Sequence, residues 1–200
     1  MDGFRGEGST LVFTGFEFTT SADIALVVPG GTKIVLESGY NVLKVVPDGP
    51  NANTATLYTK GNLEITGGEG TLDNDATHSS VETTLWSRCI CCRYGDLTIS
   101  GGTVIAHSGP CSRNAGGFYA GGRLFAAEYG EQENGAITIT GGVVKGQAIP
   151  QTVRATNTRL TIGPNSVVEN AVEFAGSAEE FHGDCLSMET VGKDVVVYFK

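Results

Sequence analysis

The sequence predicts an all-β chain, a parallel β-helix with short terminal caps, and three observations predict it. Glycine supplies 29 of the 200 residues, about twice the average usage of ~7%, without a Gly-X-Y period. A frame of Gly-x-[Leu/Ile]-x-Ile-[Ser/Thr]-Gly-Gly recurs without gaps in three places. Around each recurrence the chain reads as strand, turn, strand, turn, strand, with none of the helices that join parallel strands in α/β folds. Glycine inside a helix costs roughly 1 kcal/mol relative to alanine, so this glycine load disfavours a mostly helical protein. Only six prolines accompany it, which argues against a Pro-rich linker, and the missing triplet period argues against collagen.

The elements follow in order within one predicted domain, 1–200. Residues 9–56 read as irregular first coils. β-Branched runs at 10–14, 24–28, 33–37 and 42–46 are separated by Gly30-Gly31, Ser38-Gly39 and Pro47-Asp48-Gly49-Pro50, all turn-forming clusters. Residues 57–170 carry the repeat. Its copies are Gly61-Asn-Leu-Glu-Ile-Thr-Gly-Gly68, Gly95-Asp-Leu-Thr-Ile-Ser-Gly-Gly102 and Gly135-Ala-Ile-Thr-Ile-Thr-Gly-Gly142. A degenerate copy, Thr158-Arg-Leu-Thr-Ile-Gly-Pro-Asn165, keeps the Leu-x-Ile pair. Upstream of the glycine, Leu57-Tyr-Thr-Lys-Gly-Asn-Leu63 lines up with Cys91-Cys-Arg-Tyr-Gly-Asp-Leu97 and with Phe118-Tyr-Ala-Gly-Gly-Arg-Leu124.

Alternate residues of a strand share a face, so Leu63 and Ile65, Leu97 and Ile99, and Ile137 and Ile139 are expected inside, with Glu64, Thr98 and Thr138 outside. A unit of this kind stacks on itself at about 4.8 Å, turn glycine on turn glycine. The frame begins at 61, 95, 135 and 158, so the coil is close to the shortest step and the longer steps carry insertions. Segments 73–84, 108–117 and 128–134 are the expected surface loops. Residues 171–200 read as a C-terminal cap, with helix-like spacing over 171–181 and a last strand at 195–199.

A net charge of −9 repels a phosphate backbone, so nucleic acid is not an expected partner. The longest apolar runs have strand length, far below the ~20 residues of a membrane helix, and no membrane insertion is expected. The segment Met1-Asp-Gly-Phe-Arg-Gly6 lacks the charge and apolar pattern of a signal peptide. Five cysteines are an odd number, which rules out a complete disulfide framework within one chain.

The frame running from Leu57 to Leu72 and again from Gly95 to Val104 resembles the repeats of bacterial secreted or cell-surface proteins described as carbohydrate-binding-domain-containing. The opening Ser9-Thr-Leu-Val-Phe-Thr-Gly15 and Pro29-Gly-Gly-Thr-Lys-Ile-Val-Leu36 are similar to the segment preceding those repeats. The resemblance covers roughly residues 9–148, more loosely to 170. It implies a right-handed, pectin-lyase-like β-helix, an extracellular or cell-surface location and, for some relatives, binding of acidic polysaccharide with calcium.

The functional reading is a non-catalytic surface module that binds polysaccharide or cell-wall glycan, or serves as an adhesin or structural solenoid. The alternative is a calcium-dependent polyuronide lyase. Such chemistry needs clustered carboxylates or a basic residue beside calcium-holding aspartates, and Lys60 and Arg93 have no carboxylate cluster spaced to serve them. Fold alone confers no chemistry. The aromatics Tyr58, Trp86, Tyr94 and Tyr119 lie in or next to the first strand of successive units, where they form either an exposed ladder for sugar rings or part of the core. Asp73 and Asp75 are the calcium candidates, with Glu128, Glu131 and Glu133 behind them, although solvated loop charge explains all five. Cys89, Cys91 and Cys92, with His78, His107 and Cys111 nearby, invite a zinc reading. Strict alternation places Cys89 and Cys91 on one side and Cys92 on the other, which splits the ligands and favours buried thiols.

Overall fold

Short β-branched runs punctuated by glycine become strands, and among the described residues every regular element is a strand. The computed structural model describes residues 2–49, 53–78, 86–108, 114–120, 136–146, 159–162, 165–169, 185–191 and 194–199. After a leading strand β1 (Phe4–Glu7), the chain makes a circuit of β2 (Thr10–Phe13), β3 (Glu17–Thr20) and β4 (Ile24–Val28). The next circuits are β5 (Thr32–Leu36), β6 (Tyr40–Val45) and β7 (Thr54–Thr59), then β8 (Leu63–Gly67), β9 (Thr71–Ala76) and β10 (Trp86–Cys92). A fourth comprises β11 (Leu97–Ile99), β12 (Thr103–Ser108) and β13 (Asn114–Ala120). The pairs β14 (Ala136–Ile139) with β15 (Gly142–Gly146) and β16 (Arg159–Ile162) with β17 (Ser166–Glu169) follow, and β18 (Cys185–Val191) and β19 (Asp194–Phe199) end the chain.

Three sheets result. The first is ordered β1-β2-β5-β8-β11-β14-β16, the second β3-β6-β9-β12-β15-β17-β19-β18, and the third β4-β7-β10-β13. Each circuit therefore adds one strand to each sheet in the same order, and the pairing between circuits is parallel. This mostly parallel, helix-free arrangement is compatible with a β-helix or solenoid. Among the described residues antiparallel pairing is confined to β1 on β2 and to β19, which joins β17 and β18. The strand expected at 195–199 is thus β19, whereas β1 and the Glu17–Thr20 strand were not expected. The helical spacing at 171–181 lies outside the described residues.

The repeat frame is the register of the first sheet. Ile34 pairs with Ile65, Ile65 with Ile99, Ile99 with Ile139, and Ile139 with Ile162. Leu63, Ile65, Leu97 and Ile99 are all at most 2% exposed, as alternation requires. Burying each stabilises the fold by roughly 1.5–3 kcal/mol. Turn glycines also stack: a Cβ on Gly61 would lie 2.8 Å from the Gly30 Cα, and one on Gly95 would overlap the Gly61 carbonyl carbon and the Asn62 nitrogen.

Two of the expected loops need correction. Residues 71–76 form β9, with Leu72, Asn74 and Ala76 buried and Asp73 and Asp75 facing out. Their polarity reads as loop, but the period of two is that of a strand with one solvated face. Segment 108–117 likewise contains the end of β12 and the start of β13, while 128–134 lies outside the described residues.

The facing of the cysteines also differs from strict alternation. Cys89, Ile90 and Cys92 join the main core, and Cys91 packs in a separate cluster with Ala55 and Tyr58. The same pattern runs through the third sheet, because Ala25 and Leu26 both pack on the core while Ile24 packs on the outer cluster. Two successive residues turn inward in β4 and in β10, and the ladder skips the Thr56–Cys89 row. The gapless alignment of 57–63 with 91–97 needs correction too, because the turn is one residue longer in one circuit. Tyr58 pairs with Cys91 and Thr59 with Cys92, so Arg93-Tyr94 precedes Gly95 where Lys60 alone precedes Gly61. A gapless reading through that turn slips by one residue, which reverses every side chain.

Two buried asparagines tie circuits together. Asn41 Oδ1 accepts from the backbone nitrogens of Gly15 at 2.7 Å and Phe16 at 3.3 Å, and its Nδ2 donates to the Thr71 carbonyl at 2.9 Å. Asn74 Nδ2 donates to the Ile105 carbonyl at 3.0 Å, and its Oδ1 lies 2.9 Å from Thr56 Oγ1. At the amino-terminal end, β1 places Phe4 against Phe16, which meets Phe13 edge-on at 4.6 Å.

Candidate functional site

The second sheet turns a flat, mixed face outward. In its first row Tyr40 on β6 stands beside Thr71 on β9, which stands beside Thr103 on β12, followed by Val143 on β15. The next row is Val42, Asp73, Ile105 and Lys145, and the third is Lys44, Asp75 and His107. Hydroxyls, aliphatic side chains and charges thus alternate across neighbouring circuits, spaced at about 4.8 Å.

Within this face a chain of contacts runs diagonally through three circuits. The Tyr40 hydroxyl donates to Asp73 Oδ2, and His107 Nε2 lies 3.0 Å from Asp73 Oδ1. Lys44 Nζ donates to Asp75 Oδ2 at 2.7 Å, and the Thr77 backbone nitrogen donates to Asp75 Oδ1 at 2.9 Å. Burial pushes the Asp73 carboxyl up, but His107 and Tyr40 together outweigh it and hold Asp73 below its ordinary value. Asp75 behaves alike: burial raises it, and Lys44 with Thr77 brings it below the ordinary carboxylate value. The Tyr40 hydroxyl is pushed up to about 12, first by its bond to Asp73 and then by partial burial. Tyr40 itself remains 56% exposed, so its ring is open to solvent while its hydroxyl is tethered.

A pH dependence follows. Both aspartates have folded values below the unfolded 3.8, so their stabilisation is complete above that value and is lost as pH falls through the depressed one. After solvent screening each pair contributes no more than about 1 kcal/mol. Thermal unfolding should therefore show a Tm that declines below about pH 4, and the decline should be shallower in Asp73→Asn/Asp75→Asn.

The aromatics, read from the sequence as either an exposed ladder or part of the core, do not all share one row. Tyr58 is only 8% exposed and packs with Ala55 and Cys91, and its hydroxyl is engaged by Arg93. It belongs to a buried cluster and presents no ring for a sugar. Tyr94 is 50% exposed in the turn after β10, with the Arg93 guanidinium 5.1 Å from its ring centre. By backbone register Trp86 pairs with Asn114 and Tyr119 with Cys91, which puts them on different rows. The stacking role expected of their side chains lies outside what is described.

The donor set does not fit calcium at Asp73 and Asp75. A calcium ion takes six to eight oxygen ligands, and here both oxygens of Asp75 and Oδ2 of Asp73 are bonded by Lys44, Thr77 and Tyr40, while the buried Asp73 Oδ1 faces His107 Nε2 without a hydrogen bond. Among the described residues no group of three or more His, Cys, Asp or Glu is gathered to hold a metal ion, which applies to the zinc reading as well. Cys89, Cys91 and Cys92 are free and buried, and burial pushes each thiol up. Glu128, Glu131, Glu133 and Cys111 lie outside the described residues. Among the described residues no helix is long and apolar enough to cross a membrane.

No family model, curated protein or solved structure matches the chain.

Proposed function

We propose that the chain is a right-handed parallel β-helix module of a bacterial secreted or cell-surface protein, and that it binds polysaccharide on the outer face of its second sheet without catalysing a reaction. The observation that carries this reading is Tyr40, an aromatic ring 56% exposed and fixed through its hydroxyl to Asp73. Sugars present apolar CH faces and hydroxyl edges, and an ordered ring stacks on the former at little conformational cost. Thr71 and Thr103 continue the Tyr40 row as hydroxyl partners, and Val42 and Ile105 of the adjacent row add aliphatic surface. The cyclic order of the three sheets supports the solenoid reading, and the repeat's resemblance to bacterial surface proteins supports the location.

Affinity electrophoresis through gels containing soluble polysaccharides tests the assignment. Tyr40→Ala should weaken retention by about fivefold to tenfold, the scale of one aromatic stacking contact. Tyr94→Ala, which removes an equally exposed ring away from this face, should leave it unchanged. Equal retention of Tyr40→Ala and the parent chain would overturn the placement of the site.

A further inference from the structure

We infer that the ligand of this face is a neutral polysaccharide, bound directly and without a bridging divalent cation. The inference rests on the reading of the second sheet as a glycan-binding face and concerns which glycan it takes. A polyuronate carries a negative charge on every ring, so a protein holds it either with cations free to meet those charges or with calcium shared between its own carboxylates and the sugar's.

The centre of this face is arranged for neither. The Lys44 ammonium is 2.7 Å from Asp75 Oδ2, and His107 Nε2 is 3.0 Å from Asp73 Oδ1. These two cationic or potentially cationic groups are each directed at a carboxylate of the same chain, and Lys145, in the row of Asp73 and Ile105, is engaged as well. Asp75 is bonded at both oxygens, by Lys44 and Thr77, and Asp73 is bonded at Oδ2 by Tyr40, while its buried Oδ1 faces His107 Nε2 at 3.0 Å without a hydrogen bond. Recruiting calcium would mean breaking these contacts and leaving Lys44 and His107 beside the incoming dication. Recruiting a uronate would mean taking Lys44 from Asp75 and leaving that carboxylate uncompensated at about one-fifth exposure, where an unpaired charge is costly. Glu17, which precedes Val42 in the same row, and the chain's net −9 add repulsion toward a polyanion.

What the face leaves available is the Tyr40 ring, the hydroxyls of Thr71 and Thr103 and the aliphatic surface of Val42, Ile105 and Val143. Hydroxyls donate and accept equally well, and together with an aromatic ring they match an uncharged polyhydroxylated polymer. The row from Tyr40 to Thr103 crosses three circuits, roughly 10 Å at ~4.8 Å per step, and so favours a polymer lying along the stacking direction.

The test uses the whole chain in affinity electrophoresis against a neutral β-glucan, a neutral galactomannan and polygalacturonate, each with calcium and with chelator. Retention by at least one neutral polymer, equal within about twofold in calcium and chelator, is the expected result. Retention by polygalacturonate alone, or retention that vanishes with chelator, would overturn the inference while leaving the face a glycan site. Absence of retention by all three polymers under both conditions would overturn the binding reading and this inference together.

Discussion

Gly67→Ala should lower the unfolding free energy by roughly 3–5 kcal/mol, as measured by urea denaturation. Gly67 ends β8 with φ of 141°, a backbone conformation that side chains rarely adopt. A Cβ there would overlap the carbonyl of Leu36 in the preceding circuit. The strain of the backbone conformation and the overpacking each cost about 1–3 kcal/mol. Relief by backbone movement is resisted because the neighbouring Gly68 nitrogen donates to that same Leu36 carbonyl at 3.3 Å. Gly68→Ala is the internal control: a Cβ at this adjacent glycine meets open space, so the loss should stay below about 1 kcal/mol. Equal losses at the two positions would contradict the stacked-turn geometry.

Asn41→Ala should cost a comparable amount, about 3–5 kcal/mol. Its amide serves backbone groups in three consecutive circuits: Gly15 and Phe16 in the first, Ser38 and Gly39 in its own, and Thr71 in the third. Truncation leaves several of these without a partner, and each buried orphan costs about 1–3 kcal/mol. Asn41→Asp keeps the acceptor but sets a fully buried carboxylate against the carbonyls of Ser38, Gly39 and Thr71, so a loss at least as large as that of Asn41→Ala is expected at neutral pH from the same denaturation curves. Hydrogen exchange should become faster at Gly15 and Phe16 in Asn41→Ala and change little in β11.

What the sequence makes legible is whatever repeats within one strand and its turn. Leu63 with Ile65 and Leu97 with Ile99 show their buried face because period two and flanking Gly-Gly turns agree. The step from one frame to the next equals the register of the first sheet, so the stacking order is readable from spacing alone. Polarity obscured β9, since Asp73, Asn74 and Asp75 in succession have the composition of a loop. The cysteines were misassigned because two adjacent residues, Cys89 and Ile90, face inward in the third sheet, and the alignment of 57–63 with 91–97 slipped because the turn at Arg93-Tyr94 is one residue longer than its counterpart at Lys60.

The Tyr40–Asp73–His107 chain was missed for a different reason. Its members are 33 and 34 residues apart, one circuit each, and meet diagonally across strands. The signal was present in the steps between frames, since Asp73 lies one such step before His107. Using it requires placing residues of different circuits side by side before asking which of them could interact. Asn41 carries no comparable mark, because the partners of its amide are backbone groups, which any sequence supplies.

The stacking of circuits underlies both the face and its chemistry, and methyl-to-methyl nuclear Overhauser effects in a chain labelled at isoleucine δ-methyls test it most directly. Ile34, Ile65, Ile99 and Ile139 occupy one column of the first sheet and are fully buried, with neighbouring strands about 4.8 Å apart. The account predicts sequential cross-peaks Ile34–Ile65, Ile65–Ile99 and Ile99–Ile139, and none between Ile34 and Ile139. Loss of the Ile65–Ile99 cross-peak, or a direct Ile34–Ile139 contact, would contradict it.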